Sequence, residues 1–259
     1  MDTTAAASMT FAPKPPVTSL SDPADRLIVA LDFPSAAEAI CLVDQLQGVC
    51  RWFKVGMELY YAAGNSIVQE LHDRGFSVFL DLKLHDIPNT VAGAVRSVAT
   101  NGASLLTIHA AGGERMMRAA AEAASAPGAP RLLAVSVLTS MDDGELHATG
   151  VCAPEDGSST AQLQVLRLAR LAKTAGVTGL VCSAEEVAAV REAMGPEALL
   201  VVPGIRPAGA QIADQRRVAT PADAIASGAS MLVVGRPIAR AEEPVKAASA
   251  ILQEIAGAS

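Results

Sequence analysis

The stretch FLDLKLHDIPNT, residues 79–90, carries Asp81, Lys83 and Asp86 where its hydrophobic pattern calls for a core. Side chains alternate faces along a strand, so Val78, Leu80, Leu82 and Leu84 share one row, and Phe79, Asp81 and Lys83 share the other. The first row is wholly apolar. The second passes from an aromatic ring to a carboxylate and an ammonium. Desolvating an unpaired charge is expensive, so charges placed here must be paired, wetted or employed. A strand that ends this way fits an architecture in which strand ends converge on a working site.

The rest of the chain has the spacing for one. Short aliphatic runs alternate with Ala-rich segments of helical periodicity. Candidate strands are LIVALD (27–32), RWFKV (51–55), SVFLDLK (77–83), LLTIHA (105–110), LLAVSVL (132–138), GLVCS (179–183), LLVVP (199–203) and MLVVG (231–235). Between them lie helix candidates such as SAAEAICLVDQLQ, GNSIVQELHDRG, TVAGAVRSVATNG and GERMMRAAAEAAS. Ser35 is a candidate N-cap, and Glu38 stands three residues on, as in a capping box. Residues 141–162 read as an extended loop leading into the helix AQLQVLRLARLAKTAG. Strand-then-helix units in this number predict an α/β chain folded as a (β/α)8 TIM barrel, with a doubly wound open sheet as the structural rival. No linker divides residues 26–259, which are read as a single catalytic domain.

Bulk properties narrow the function. The chain has 259 residues, 51% of them hydrophobic, with a formal charge of −7 and a pI of about 5.1. That balance disfavours general nucleic-acid binding but leaves room for a local basic pocket. No apolar run approaches the ~18 residues of a membrane span. Residues 1–25, rich in Ala, Pro, Ser and Thr, lack the basic start and apolar centre of a signal peptide and are expected to form a disordered tail. The four cysteines, Cys41, Cys50, Cys152 and Cys182, form no CxxC pair; Cys182 reads as a buried thiol, no disulfide framework is expected, and a reducing cytoplasm is the default. Neither HxH nor HExxH occurs, so no metal site is expected.

In a barrel the C-terminal ends of all eight strands share one mouth, where active sites of this architecture lie. Asp32, Lys54, Asp81 with Lys83, and His109 end the first four candidate strands or lie close to their ends. Thr139 and Ser140 follow the fifth, Gly204 and Arg206 the seventh, and Gly235 and Arg236 the eighth. Any one of these alone is more often a cap, a turn or a solvated edge. Asp81 and Lys83 on one inward row are different, and Lys54, Asp81, Lys83 and Asp86 can form an alternating network. His85 reads as a supporting or helix-facing residue, and His109 as a hydrogen-bonding group across the mouth. VVGRPI and VPGIRPAGAQIADQRR offer backbone amides and guanidinium groups after strands eight and seven, the habitual phosphate cradle of this barrel.

Together these stretches resemble a known family. DLKLHDIPNT, with VALDFP, FKVGMEL, VLTSM, PGIRP, DQRR and VGRPI in order, resembles the orotidine 5′-phosphate decarboxylases, in particular the monofunctional bacterial branch. The resemblance covers the chain from about Arg26 onward. It implies conversion of orotidine 5′-phosphate to UMP, the last step of de novo pyrimidine synthesis, without metal or organic cofactor. By the same resemblance Lys83 is the proton donor to C6, and Lys54, Asp81 and Asp86 complete the charged array, Asp86 coming from the second subunit of a homodimer. Asp32, Lys54 and Thr90 match ribose-side contacts, Thr90 again across the interface, and Thr139 and Ser140 match the pyrimidine side. Arg206, Gln215, Gly235 and Arg236 match the phosphate side, with residues 207–216 resembling a closing lid. Alternatives are a metal-dependent sugar-phosphate decarboxylase or lyase on the same barrel, a class I aldolase using Lys83 as a Schiff base, and a UMP-binding barrel without catalysis.

Overall fold

The structure is a computed structural model that describes residues 20–155, 157–207 and 219–258. Eight strands run β1 Leu27–Leu31, β2 Trp52–Gly56, β3 Ser77–Leu84, β4 Leu105–His109, β5 Arg131–Val135, β6 Gly179–Val181, β7 Leu199–Val202 and β8 Met231–Val234. Each pairs in parallel with the next, and β8 returns to β1, closing the barrel. The helices between them are α1 Ala36–Leu46, α2 Met57–Ala63, α3 Asn65–Asp73, α4 Pro88–Val98, α5 Gly113–Ala123 and α6 Asp143–Ala148. They continue with α7 Thr160–Thr174, α8 Val187–Met194, α9 Pro221–Ala226, α10 Arg236–Ala239 and α11 Pro244–Gly257. This is the (β/α)8 barrel that the strand spacing predicts; the open doubly wound sheet is excluded by closure.

Strand alternation sorts the core into two bodies. Outward residues such as Leu27, Val29, Leu31, Val78 and Leu80 pack beneath the helices. Inward residues Ile28, Ala30, Trp52, Phe79, Leu105, Leu133, Leu199, Val201, Met231 and Val233 fill the barrel. Burying one large apolar side chain of this kind contributes about 1.5–3 kcal/mol relative to leaving it exposed. The inward rows then change character towards the mouth. Ile28 and Ala30 lead to Asp32, Trp52 to Lys54, Phe79 to Asp81 and Lys83, and Leu105 to Thr107 and His109.

Several boundaries differ from the sequence reading. Residues 20–25, assigned to the tail, are described and ordered: Pro23–Asp25 form a 3-10 turn, and Asp22 and Asp25 pair with Arg51 at 2.7 and 3.0 Å. Residues 1–19 lie outside the described residues. The loop read over 141–162 contains α6, which begins with a capping box in which Asp142 and Glu145 exchange bonds. Strand β5 stops at Val135 because the chain bends: Ser136 gives both its amide and its hydroxyl to the carbonyl of Val181, and a turn follows. At α1 the Ser35 hydroxyl does accept from the amide of Glu38, at 3.3 Å, and it also donates to the Glu38 carboxylate at 2.9 Å.

Candidate active site

The charged ends of β1, β2 and β3 meet in one chain of ion pairs. Lys54 Nζ lies 2.9 Å from Asp32 Oδ1 and 3.7 Å from Asp81 Oδ2; Lys83 Nζ lies 2.9 Å from Asp81 Oδ1. Register explains the meeting, because Ala30 pairs with Lys54 across β1 and β2, and Gly56 pairs with Asp81 across β2 and β3. At Gly56 a Cβ would lie 2.9 Å from Lys54 Nζ and 3.1 Å from Asp32 Oδ1, so a side chain there would push the ends of this ion pair aside. Lys54 is buried, and charges held this way are affordable only because each has an opposite neighbour.

Lys83 does not arrive by simple alternation. Between Leu80 and Leu84 the register against β4 shifts, since four steps on β3 match two from Leu106 to Ile108 on β4. Within that irregularity Lys83 has φ of 51°, the left-handed region, and it is the sole non-glycine there among the described residues. Its displaced amide is satisfied by Thr107 Oγ1 at 2.8 Å, and the same hydroxyl donates to Asp81 Oδ1 at 3.0 Å.

Two cavities share Lys54 as a wall. One, of about 160 Å³, is lined by Lys54, Asp81, Lys83 and Thr139 on its polar side and by Phe79, Val135, Val137, Val181 and Val233 among its apolar residues. The other, of about 430 Å³, brings Asp32, Lys54, Arg206, Gly235 and Arg236 together. Gly235 caps α10, and Arg236 is that helix's first residue. A charged half of the mouth thus faces an apolar half, with a cationic cavity beside both.

A family model described as "Orotidine 5'-phosphate decarboxylase / HUMPS family" matches residues 25–251. The chain belongs to this family. An orotidine 5′-phosphate decarboxylase of Halorhodospira halophila is 54% identical over 235 residues, spanning 90% of this chain and 97% of that relative. One of Anaeromyxobacter dehalogenans is 53% identical over 229 residues, spanning 88% and 97%. The crystal structure of orotidine 5′-phosphate decarboxylase from Lactobacillus acidophilus superposes with a TM-score of 0.77 at 38% identity, covering 89% of this chain and 98% of that one.

In this member of the decarboxylase family the expected residues are only partly assembled. Asp32, Lys54, Asp81, Lys83, Thr139, Arg206, Gly235 and Arg236 line the cavities. Ser140 is exposed in the turn after β5, and Thr90 is exposed in the first turn of α4; neither lines them. Gln215 and most of the expected lid, residues 208–216, lie outside the described residues. Asp86, expected from the second subunit of a dimer, does not join the ion pairs of its own chain. It is exposed, its Oδ1 accepts from the amide of Ile87 at 2.6 Å, and it makes no ion pair with Lys83. The irregularity in β3 turns the chain before Asp86, so within one chain its carboxylate stands apart from the array.

Thr107 was not singled out from the sequence. A threonine inside an aliphatic run reads as an ordinary strand former, but its place on the inward row between Leu105 and His109 was a usable signal. Thr107→Val removes a hydroxyl that serves two groups while keeping the shape. It leaves the Lys83 amide without its partner, a cost of about 1–3 kcal/mol, and takes one of two donors from Asp81 Oδ1. Turnover should fall about tenfold to a hundredfold with secondary structure intact by circular dichroism; an unchanged rate would show that the hydroxyl does not position Lys83.

The histidines also behave differently from the reading. His109 Nδ1 accepts from the amide of Ala111 at 3.4 Å, a local cap rather than a bond across the mouth. His85 stacks on it, with ring centroids 5.4 Å apart and planes 22° from parallel. Burial, then the neighbouring His85, then Lys83 push the His109 pKa below its ordinary 6.5. An unfolded chain therefore takes up this proton first as pH falls through 6.5, so the contribution of neutral His109 to stability is complete above that pH and is lost towards the lowered folded value. His109→Asn keeps an acceptor for the cap but does not titrate. The advantage in Tm of wild type over this variant should shrink between about pH 8 and about pH 5; a constant gap would contradict the coupling.

Proposed function

We propose that the chain removes carbon dioxide from orotidine 5′-phosphate to give UMP, the closing step of pyrimidine nucleotide synthesis, with Lys83 as the acid at C6. The supporting observation is the run of ion pairs from Asp32 through Lys54 and Asp81 to Lys83, set between an apolar cavity and an arginine-lined one. As the bond from C6 to the carboxylate breaks, its electron pair stays on C6. The Lys83 ammonium stabilises that charge and then gives it a proton, and the amine regains one from water. Asp81 fixes Lys83 at 2.9 Å and sets a negative charge beside the substrate carboxylate, a repulsion relieved when neutral carbon dioxide leaves. The aliphatic wall of Val135, Val137, Val181 and Val233 suits that apolar product.

On this reading Arg206, Gln215, Gly235 and Arg236 hold the phosphate, Asp32 and Lys54 the ribose, and Thr139 and Ser140 the pyrimidine. Binding energy from the remote phosphate is then available to organise the reacting end. The reaction needs no metal or organic cofactor, because the Lys83 ammonium supplies both the positive charge that stabilises C6 and the proton that C6 takes up. The working form is a homodimer in which Asp86 and Thr90 reach the partner's site. Both are exposed beside Ile87, which is 67% exposed and gives this ridge an apolar contact. Four free cysteines accord with a reducing cytoplasm. Among the described residues no helix is long and apolar enough to cross a membrane.

Proton nuclear magnetic resonance in deuterium oxide tests the reaction itself. The product of orotidine 5′-phosphate should be UMP carrying deuterium at C6 and hydrogen at C5. Unconsumed substrate, together with magnesium-dependent turnover of keto-sugar phosphates, would transfer the assignment to the sugar-phosphate relatives of the barrel.

A further inference from the structure

The larger cavity holds a cation that the reading above does not use. Arg240 lines it together with Arg206 and Arg236. It lies one helical turn beyond Arg236, its amide bonded to the Arg236 carbonyl at 3.0 Å, so the two side chains leave the same face of the chain. Arg240 is exposed, and among the described residues no carboxylate pairs with it. Among the described residues, Glu58, from the first turn of α2, is the one anion of the lining besides Asp32, which pairs with Lys54. Four cationic side chains and two carboxylates among the described residues thus line this cavity, on a chain of net charge −7. A dianion approaching this molecule is repelled by its net charge and attracted by the cations of this opening, and the most exposed of them acts on it first.

We infer that Arg240 is the capture residue of the phosphate cavity: it draws the phosphate dianion in from solvent and delivers it to Arg206 and Arg236. Glu58 opposes it at the rim. This rests on the assignment of a phosphorylated nucleotide as substrate. Arg240 acts while the ligand is outside, so its contribution belongs to association and is screened by salt. A charge that merely stabilised the fold would show its salt dependence in Tm and leave kcat/KM of the folded enzyme unchanged.

The test is the salt dependence of kcat/KM for orotidine 5′-phosphate in wild type, Arg240→Gln, Arg240→Lys and Glu58→Gln, with competitive inhibition by inorganic phosphate measured alongside. At about 10 mM ionic strength, where the screening length is about 30 Å, Arg240→Gln should lose about fivefold in kcat/KM, expressed in KM. The loss should close at about 0.5 M salt, and phosphate should inhibit the variant more weakly. Arg240→Lys should restore most of the loss, and Glu58→Gln should raise kcat/KM at low salt. A loss in Arg240→Gln that is independent of salt, or one that lysine does not restore, would overturn the inference. Equal salt slopes in wild type and Arg240→Gln would overturn it too, leaving Arg240 a solvated surface charge. Wild type that does not consume orotidine 5′-phosphate would instead defeat the substrate assignment, an outcome separate from any ordering among the variants.

Discussion

Replacing Lys83 with alanine should lower turnover of orotidine 5′-phosphate by at least about 10⁴-fold while UMP still binds. The magnitude follows from losing both a positioned proton donor and the cation that stabilises charge at C6. The fold should survive the change. Asp81 keeps Lys54 and Thr107 as partners at 3.7 and 3.0 Å, so no carboxylate is left buried alone. Alanine also keeps a Cβ at φ of 51°, so the backbone strain at this position is the same in both proteins. Isothermal titration with UMP separates the two roles, because the Arg206, Gly235 and Arg236 cavity is untouched. A variant with near-normal turnover would remove Lys83 from its role; one that lost UMP binding in step with turnover would make it a binding residue.

Activity should also return when two inactive chains are mixed. An Asp81→Ala chain and an Asp86→Ala chain are each expected to be nearly inert, since the first breaks the pair with Lys83 and the second removes the carboxylate that the proposed dimer takes from the partner. In a hybrid dimer one site carries both defects and the other carries neither. At equal mixing half the dimers are hybrids with one working site in two, so about a quarter of wild-type activity should appear. Recovery at that level requires Asp86 to act across an interface. No recovery, despite chain exchange shown by native mass spectrometry, would place Asp86 in its own chain's site and require the segment that carries it to move.

The barrel was legible because its information is local and repeated. Aliphatic runs at regular spacing announce strands, and the inward rows Phe79–Asp81 and Trp52–Lys54 show by parity which charges meet, whereas Lys83 reaches Asp81 through a break in alternation. What parity could not show is the irregularity in β3. It depends on how Leu80 and Leu84 pair with Leu106 and Ile108, a relation between two strands that neither sequence states. Asp86 shares the stretch with Lys83, yet within one chain the bend after β3 leaves its carboxylate outside the ion pairs, and the resemblance takes it from a second subunit. The helix α6 was missed although its signal was present, an aspartate followed three residues later by a glutamate. Polar composition there masked a cap. The His85–His109 stack had no readable signature, because two rings 24 residues apart meet only through the packing of the β3–α4 and β4–α5 connections.

The most direct test of the account follows the ultraviolet absorbance of orotidine 5′-phosphate with purified wild-type chain, before and after treatment with EDTA. The account predicts complete conversion to UMP at the same rate in both samples. No conversion by folded protein, or conversion that EDTA abolishes and added magnesium restores, would contradict it.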